Sequence, residues 1–374
     1  MGVVKVLFWT SLAGILWTHA GYPLAAALLA RLRAREVRKA DITPAVSVIV
    51  PAHDEESVIG ARVDNLLALD YPAEQLEIVV VSDGSTDGTD QVVSGYAAAD
   101  PRVRLLALPR GGKLAALNHA VGESTRDIVA FSDANSKWEP NALRMLVRNL
   151  ADDDVAYVCG RLVLEGADGT NREGIYWRYE LWLRESESAL GSITGGNGAI
   201  YAVRRSAFEA QPYGQDAALP ALMAGKGLRA VYDADAVAYE KPAANLEDEF
   251  GRKARMFRWS WYHLLAGRPT RGSGLMFRAE WFSHRTLRYG SGILHVGLLA
   301  SSIALLGEGW VYRVALAAQV AWLAFAALGR LRAPVPGAGL AYYYLLVTWA
   351  TIVGLARYLR GGIPGTWERA PGTR

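Results

Sequence analysis

The sequence predicts an α/β fold with a mostly parallel sheet, flanked by apolar segments long enough to cross a membrane. Three observations predict it. Four apolar runs of strand length alternate with stretches of helical spacing between Thr43 and Asp133, a pattern that implies parallel strands joined by right-handed crossovers. Ionisable residues gather just after those runs, where open α/β sheets bind ligands. Hydrophobic residues, 51% of 374, are concentrated at the two ends of the chain, while the middle carries ordinary charge.

Residues 3–30 are nearly uncharged after Lys5, then Arg31, Arg33, Arg35, Arg38 and Lys39 follow. The apolar length suffices for a bilayer, and the basic cluster places the next domain in the cytoplasm by the positive-inside rule. Thr18-His19-Ala20 offers the competing reading of a signal-peptide cleavage site. The apolar run continues through residues 24–29, which favours an uncleaved anchor.

Residues 46–50 read as a buried strand ended by Pro51, 58–67 as a helix, and 77–81 as a second buried strand. Ser82-Asp83-Gly84-Ser85-Thr86-Asp87-Gly88 is a tight turn, with Thr86 or Asp87 as cap of a helix running to Tyr96. A third strand spans 103–108. A helix over 113–121 is entered through Gly111-Gly112, a fourth strand ends at Phe131, and a further helix starts at Pro140. The single cysteine, Cys159, excludes an intramolecular disulfide and reads as a small core residue. Zinc-type cysteine spacing is absent, and a net charge of +3 with no nucleic-acid signature argues against DNA or RNA.

His53, Asp54 and Glu55, then Asp83 and Asp87, then Lys113, then Asp133 and Asn135 fall at successive strand ends. So many ionisable groups on one rim point to a site more than to solvated turns. Asp133 and Asn135, two apart in extended chain, can point the same way and offer oxygen to a hard divalent cation, with phosphates completing the shell. Lys113, at a helix start after two glycines, suits a diphosphate. The spacing is not that of a P-loop.

Taken in order, residues 48–56, Ser82-Asp83-Gly84-Ser85-Thr86-Asp87, Gly111-Gly112-Lys113, Ser132-Asp133-Ala134-Asn135, Thr194-Gly195-Gly196-Asn197-Gly198, Gln215-Asp216 and Arg255-Met256-Phe257-Arg258-Trp259 resemble the family 2 glycosyltransferases. These are inverting, nucleotide-sugar-dependent enzymes of the GT-A fold. The flanking apolar segments resemble the cellulose, chitin and hyaluronan synthase branch. The resemblance covers residues 45–265. It implies that Asp83 contacts uracil or an equivalent base of a UDP-sugar, with His53, Asp54 and Glu55 lining the nucleotide pocket. Lys113 and Arg258 would sit beside the diphosphate. Asp133 and Asn135 would hold Mg²⁺ or Mn²⁺, Asp216 would be the general base, and Trp259, Gly196 and Asn197 would meet the acceptor. Three positions depart from the family pattern. Asn135 stands for the second Asp of the metal motif, Gln215 for the acidic neighbour of the base, and Arg255 for a Gln.

The implied activity is transfer of a sugar to a glycan or glycolipid acceptor at the inner membrane, with the catalytic domain cytoplasmic, forming a β-linked polysaccharide. Two alternatives stand beside it. One is a single-transfer glycolipid synthase, the other a catalytically weak nucleotide-sugar-binding membrane protein, suggested by Asn135 and Gln215. Tyr176, Trp177, Tyr179 and Trp182 read as packing before they read as a sugar-stacking surface. Residues 245–265 read as an amphipathic interface helix, 293–306 and 311–328 as a membrane hairpin, and 340–355 as a further crossing. The expected domains are 1–40, the anchor and basic segment; 41–243, the catalytic domain; 244–286, the interface helices; and 287–374, the C-terminal membrane segments. Three crossings would leave Arg357, Arg360, Arg369 and Arg374 outside, against the positive-inside rule.

Overall fold

The computed structural model describes residues 1–165, 174–210, 215–242, 245–265 and 269–363, with the side chains of 215–217 outside the described set. The chain divides into two units. One comprises Met1–Ala25, Asn245–Gly267 and Ala279–Ile363; the other Ala26–Ala244, Arg268–Arg278 and Pro364–Arg374.

The second unit is built on an eight-stranded sheet. Its strands are β1 (Val46–Ala52), β2 (Leu76–Asp83), β3 (Val103–Leu108), β4 (Ile128–Phe131), β5 (Lys137–Trp138), β6 (Val155–Leu164), β7 (Tyr201–Arg204) and β8 (Arg229–Glu240), in the order β3-β2-β1-β4-β7-β6-β8-β5. The four strands read from the sequence run parallel to one another. The other half is mixed: β7 runs antiparallel to β4 and β6, and β5 to β8.

Both faces of the parallel half are covered, which is why its strands read as continuous apolar runs. Val46, Val48 and Val50 pack with Ile78, Val80 and the helix residues Ile59, Val63 and Leu66. The intervening Ile49, Val79 and Val81 pack on the other side with Ala116, Leu117 and Ala120. This is the two-residue alternation of strand side chains. Aromatic rings extend the second core: Phe131 stacks on Tyr201 at 4.6 Å, and Tyr201 on Tyr157 at 5.4 Å. Trp177 joins this core and its indole N–H donates to the Leu162 carbonyl at 2.8 Å, the packing role read for it.

A buried ionic clamp holds the mixed half. Between Gly160↔Asp233 and Arg161↔Val237 the β6–β8 register shifts. The Asp233 carboxylate, 2% exposed, accepts from Arg148 Nε at 2.9 Å and Nη2 at 2.8 Å, Asn149 Nδ2 at 2.7 Å, Lys39 Nζ at 3.1 Å and the Asp235 N–H at 3.1 Å. Arg35 and Arg38 of the same basic segment pair with Asp154 and Asp152 at 2.6 and 3.1 Å. Part of the positive charge after the first apolar segment is therefore matched by acidic groups of the α/β unit.

The other unit is helical. Three helices among the described residues are long and apolar enough to cross a membrane: Gly2–Arg33, Trp310–Arg330 and Ala338–Gly361. The expected hairpin meets a shorter first arm. The helix Ser291–Ala304 has 14 residues, ~21 Å of rise against a hydrocarbon core of ~30 Å. The amphipathic helix is Leu246–Leu265, close to its sequence bounds. It packs against Ala338–Gly361 at Gly354, where an added Cβ would come 2.7 Å from Phe257 Cβ. The Trp261 indole N–H donates to the Thr351 carbonyl at 2.9 Å. Inside this unit Tyr344 hydroxyl bonds both His19 and His295 ring nitrogens, at 3.0 and 2.8 Å.

Burial alone would raise the Asp233 carboxyl; the bonds from Arg148 and Asn149 and the charge of Lys39 outweigh it and hold the group below the usual carboxylate range. Its contribution to stability is then present above that range and fades as pH falls through the native value. Asp233→Ala should destabilise the protein by about 3 kcal/mol, since it leaves Arg148 without its buried partner, and should flatten the acid limb of the melting profile. An unchanged melting point at neutral pH would show that the register shift holds without the clamp.

Candidate active site

The carboxyl ends of β1, β2 and β4 form one rim of the α/β unit. Strand order turns there: β2 and β3 continue on one side of β1, and β4 lies on the other. Such a switch point opens a crevice at the strand ends. His53, Asp54 and Glu55 follow β1, Asp83 ends β2, and Asp133 lies two residues past β4.

The loops after β1 and β2 are laced together. Asp54 takes a left-handed conformation, φ +51°, which Asp tolerates better than most residues. This aims its Oδ1 at the Thr86 N–H, 2.6 Å away, while its own N–H donates to Ser85 Oγ at 3.1 Å. The Glu55 N–H donates to Thr89 Oγ1 at 2.7 Å, and Glu56 Oε2 accepts from the Gly88 N–H at 3.1 Å. Asp87 Oδ1 accepts from the Thr89 N–H at 3.0 Å. The helix therefore starts at Thr89, later than a cap at Thr86 or Asp87 would place it. His53 Nε2 lies 3.5 Å from Asp54 Oδ2, and Glu55 is 1% exposed.

Asp83, 2% exposed, organises the glycine loop. Its Oδ1 accepts from the Gly111 and Gly112 N–H groups at 2.7 and 2.9 Å, and Oδ2 from Arg110 Nη1 at 2.7 Å. Gly84 is required beside it: φ is +62°, and a Cβ would sit 2.8 Å from the Arg110 nitrogen. The loop leads into the helix Lys113–Glu123. The Lys113 ammonium, on that helix's first residue, donates to Asp133 Oδ1. Asp133 Oδ2 lies 3.3 Å from the point a Cβ on Gly198 would occupy, so Gly198 leaves the carboxylate room.

Behind this loop sits Arg62, wholly buried and absent from the residues singled out by sequence. Its Nη2 donates to Ser132 Oγ at 2.7 Å, Nη1 bonds Asn65 Oδ1, and the guanidinium lies 5.0 Å over the Trp138 ring. Burial pushes its pKa down to about 9 against the opposing pull of Glu240 and Asp133. One signal marked it: Arg62 falls on the apolar stripe Ile59–Val63–Leu66, a core position for a charged residue. Asn65 fixes Trp138, its carboxamide accepting from the Trp138 N–H at 2.8 Å and donating to its carbonyl at 2.9 Å.

The remaining sequence-selected residues are placed as follows. Asn197 bonds inward: Oδ1 accepts from the Ala199 and Ile200 N–H groups, both at 3.1 Å, and Nδ2 donates to the Gly160 carbonyl at 2.9 Å. Its amide shapes the loop that carries Gly196 and Gly198. Buried Glu187 supports the same loop through the Thr194 N–H at 3.0 Å. Asp216 is the second residue of the helix Gln215–Gly225; its side chain lies outside the described set. Arg258 and Trp259 belong to the helical unit. There the Arg258 guanidinium caps the end of Ala338–Gly361, donating to the Gly361 and Gly362 carbonyls, the favoured place for a cation at a helix C-terminus.

Among the described residues no group of three or more His, Cys, Asp or Glu could hold a metal. Asp133, about a quarter exposed, and Asn135 two residues on carry oxygen donors of the kind a hard divalent cation takes, and would supply only part of its shell.

Comparison with known proteins bears on the family and the fold. The family model described as Glycosyl transferase family 2 matches residues 47–211. A beta-monoglucosyldiacylglycerol synthase of Nostoc sp. is 30% identical over 174 residues, 44% of this chain and 37% of that protein. An N-acetylglucosaminyltransferase of Rhizobium meliloti is 31% identical over 216 residues, 52% and 50% of the two. The chain thus spans half or less of the length of these relatives. The structure of a mannosyltransferase from Pyrobaculum calidifontis in complex with GDP-Man and Mn²⁺ superposes with a TM-score of 0.73 at 24% identity, covering 95% of this chain and 99% of that one. It shares the fold, which is GT-A-like.

The Asp83 carboxylate accepts from both the Gly111 and the Gly112 amides. Asp83→Ala should cost about 2 kcal/mol, the penalty for leaving buried donors unsatisfied, and should deprotect those two amides to hydrogen exchange while β1 stays protected. Equal protection in the variant would show that the loop holds its shape without the carboxylate.

Proposed function

With residues 47–211 forming a family 2 glycosyltransferase domain, we propose that the protein is an inverting glycosyltransferase moving a sugar from a nucleoside-diphosphate donor to a glycan or glycolipid acceptor at a membrane. One observation supports this most strongly: Asp83, the glycine loop, Lys113 and Asp133 form a continuous bonded chain along the switch-point rim. A nucleotide there would meet Asp83 and the His53–Glu55 loop with its base and ribose, and Lys113 with its diphosphate. UDP is the donor nucleotide of choice on the resemblance of the Asp83 motif. The matched synthases named for a diacylglycerol product and the three long apolar helices support a lipid acceptor or a membrane-delivered glycan.

Asp133 and Asn135 would hold Mg²⁺ or Mn²⁺ together with diphosphate oxygens. When bound, such an ion stabilises the charge that develops on the leaving diphosphate. The rest of the work falls to the chain itself. Lys113 follows the growing charge on the diphosphate. Gly198 and the loop held by Asn197 leave space beside Asp133 for the transferred sugar. Asp216, in the first turn of its helix, takes the proton from the attacking hydroxyl as it approaches the anomeric carbon from the face opposite the diphosphate. One displacement inverts that centre, so an α-linked donor gives a β-glycoside.

Nucleoside diphosphate release from a panel of donors, with mass analysis of the product, tests the reading. Release should require the acceptor and cease in excess chelator. Asp216→Asn removes the charge with almost no change of shape, yet should reduce transfer by roughly two to four orders of magnitude, the usual contribution of a general base. Transfer near the wild-type rate would move the base elsewhere.

The α/β unit is proposed to face the cytoplasm, where nucleotide sugars are made. The sole native cysteine, Cys159, is buried, so single cysteines introduced at exposed Glu74 or Ser206 report the side directly. Labelling by an impermeant maleimide should occur only after the cells are broken. Ready labelling of intact cells would reverse the orientation.

A further inference from the structure

We propose that Lys113 holds the carboxylate of Asp133 as a neutral pair, so that the divalent cation enters only with the nucleoside diphosphate, whose oxygens take the Lys113 ammonium in exchange. This rests on the reading of Asp133 as a metal ligand and adds an order of binding and a role for Lys113 in it.

Four features of the rim support it. The ammonium of Lys113 already bonds Asp133 Oδ1. Asn135 stands where a second carboxylate would, so the two-residue motif itself carries a single negative charge. Among the described residues no third acidic, His or Cys ligand joins them. Arg62 lies buried, bonded to Ser132 and within electrostatic reach of both Glu240 and Asp133.

A bare divalent cation approaching Asp133 therefore meets a carboxylate already paired with an ammonium, while the buried charge of Arg62 is opposed by Glu240 as well as Asp133. Its attraction to the carboxylate is offset chiefly by repulsion from Lys113. A cation carried on a diphosphate brings its own excess of negative oxygens. It supplies the ligands the chain lacks and gives the ammonium a partner as it leaves Asp133. The exchange needs only side-chain motion. Asp83 fixes the glycine loop from which Lys113 starts, and the lysine stem is flexible.

The experiment titrates Mn²⁺ into the detergent-solubilised full chain and reads free Mn²⁺ by electron paramagnetic resonance, with and without UDP or GDP. In the wild type the diphosphate should raise Mn²⁺ affinity at least about tenfold, within the usual range of coupling between two ligands. Lys113→Met should raise the affinity for Mn²⁺ alone by about tenfold and shrink the diphosphate effect correspondingly. Lys113→Arg, which keeps the charge, should retain the wild-type pattern. Equal binding of Mn²⁺ alone by wild type and Lys113→Met overturns the proposal, as does wild-type binding of Mn²⁺ that the diphosphate leaves unchanged. Asp133→Asn separates the two claims. If diphosphate-dependent Mn²⁺ binding survives in it, the metal-ligand reading itself fails. If binding is lost there while Lys113→Met behaves as wild type, only the exchange fails. Should Lys113→Met not fold, Lys113→Gln removes the same charge with less apolar surface.

Discussion

A sheet buried on both faces leaves its polar groups one place to stand. Alternate residues of β1 and β2 enter two separate apolar cores, so neither face accepts an unpaired charge without a large desolvation penalty. The carboxyl edge of the strands is where chain, helix starts and solvent meet, and there Asp54, Asp83 and Asp133 collect. The switch of strand order at β1 parts the loops over the middle of that edge. Fold and site thus share one cause: the apolar patterning that buries the strands also pushes the chemistry to their ends.

At that edge the carboxylates differ in what they hold. Asp83 is buried and bonded to backbone amides and to Arg110; it acts as a fixed point from which the glycine loop and Lys113 are aimed. Asp133 is about a quarter exposed and bonded to the ammonium of a flexible side chain; it is the member proposed to change partner. Asp54 lies between these cases, tied to Thr86 but open to His53. The arrangement separates positioning from binding. Groups that set geometry are buried and hydrogen-bonded to backbone, and groups that would meet a ligand carry partners that can move.

The parallel half of the sheet was legible because each strand is a continuous apolar run closed by charge or turn residues. The mixed half was not. β5 has two residues and β7 four, too short for a periodicity, and their antiparallel pairings join segments far apart in sequence. The helix start at Thr89 was displaced by competition that local pattern cannot show. Asp54 and Glu56, from the segment after β1, take the Thr86 and Gly88 N–H groups, while Asp87 accepts from the Thr89 N–H. Site residues were legible as types in order, and Asp83, Lys113 and Asp133 do come together. Arg110 was missed because nothing local ties it to Asp83, 27 residues earlier.

Arg258 shows what a motif leaves open. In sequence it stands with Trp259 beside an expected diphosphate. In the helical unit its guanidinium bonds the carbonyls that end Ala338–Gly361, 103 and 104 residues away. Those carbonyls carry the negative end of the helix dipole and would otherwise lack intrahelical partners. A cation satisfied in this way is held in one place, and an arginine has donors enough to keep that anchor and offer others. The same logic governs Asp83 at the rim, whose buried bonds to backbone fix the loop while Lys113, on a flexible stem, reaches from it to Asp133. In both units an ionisable side chain is first made rigid by backbone groups, and recognition is built on the atoms those bonds leave over.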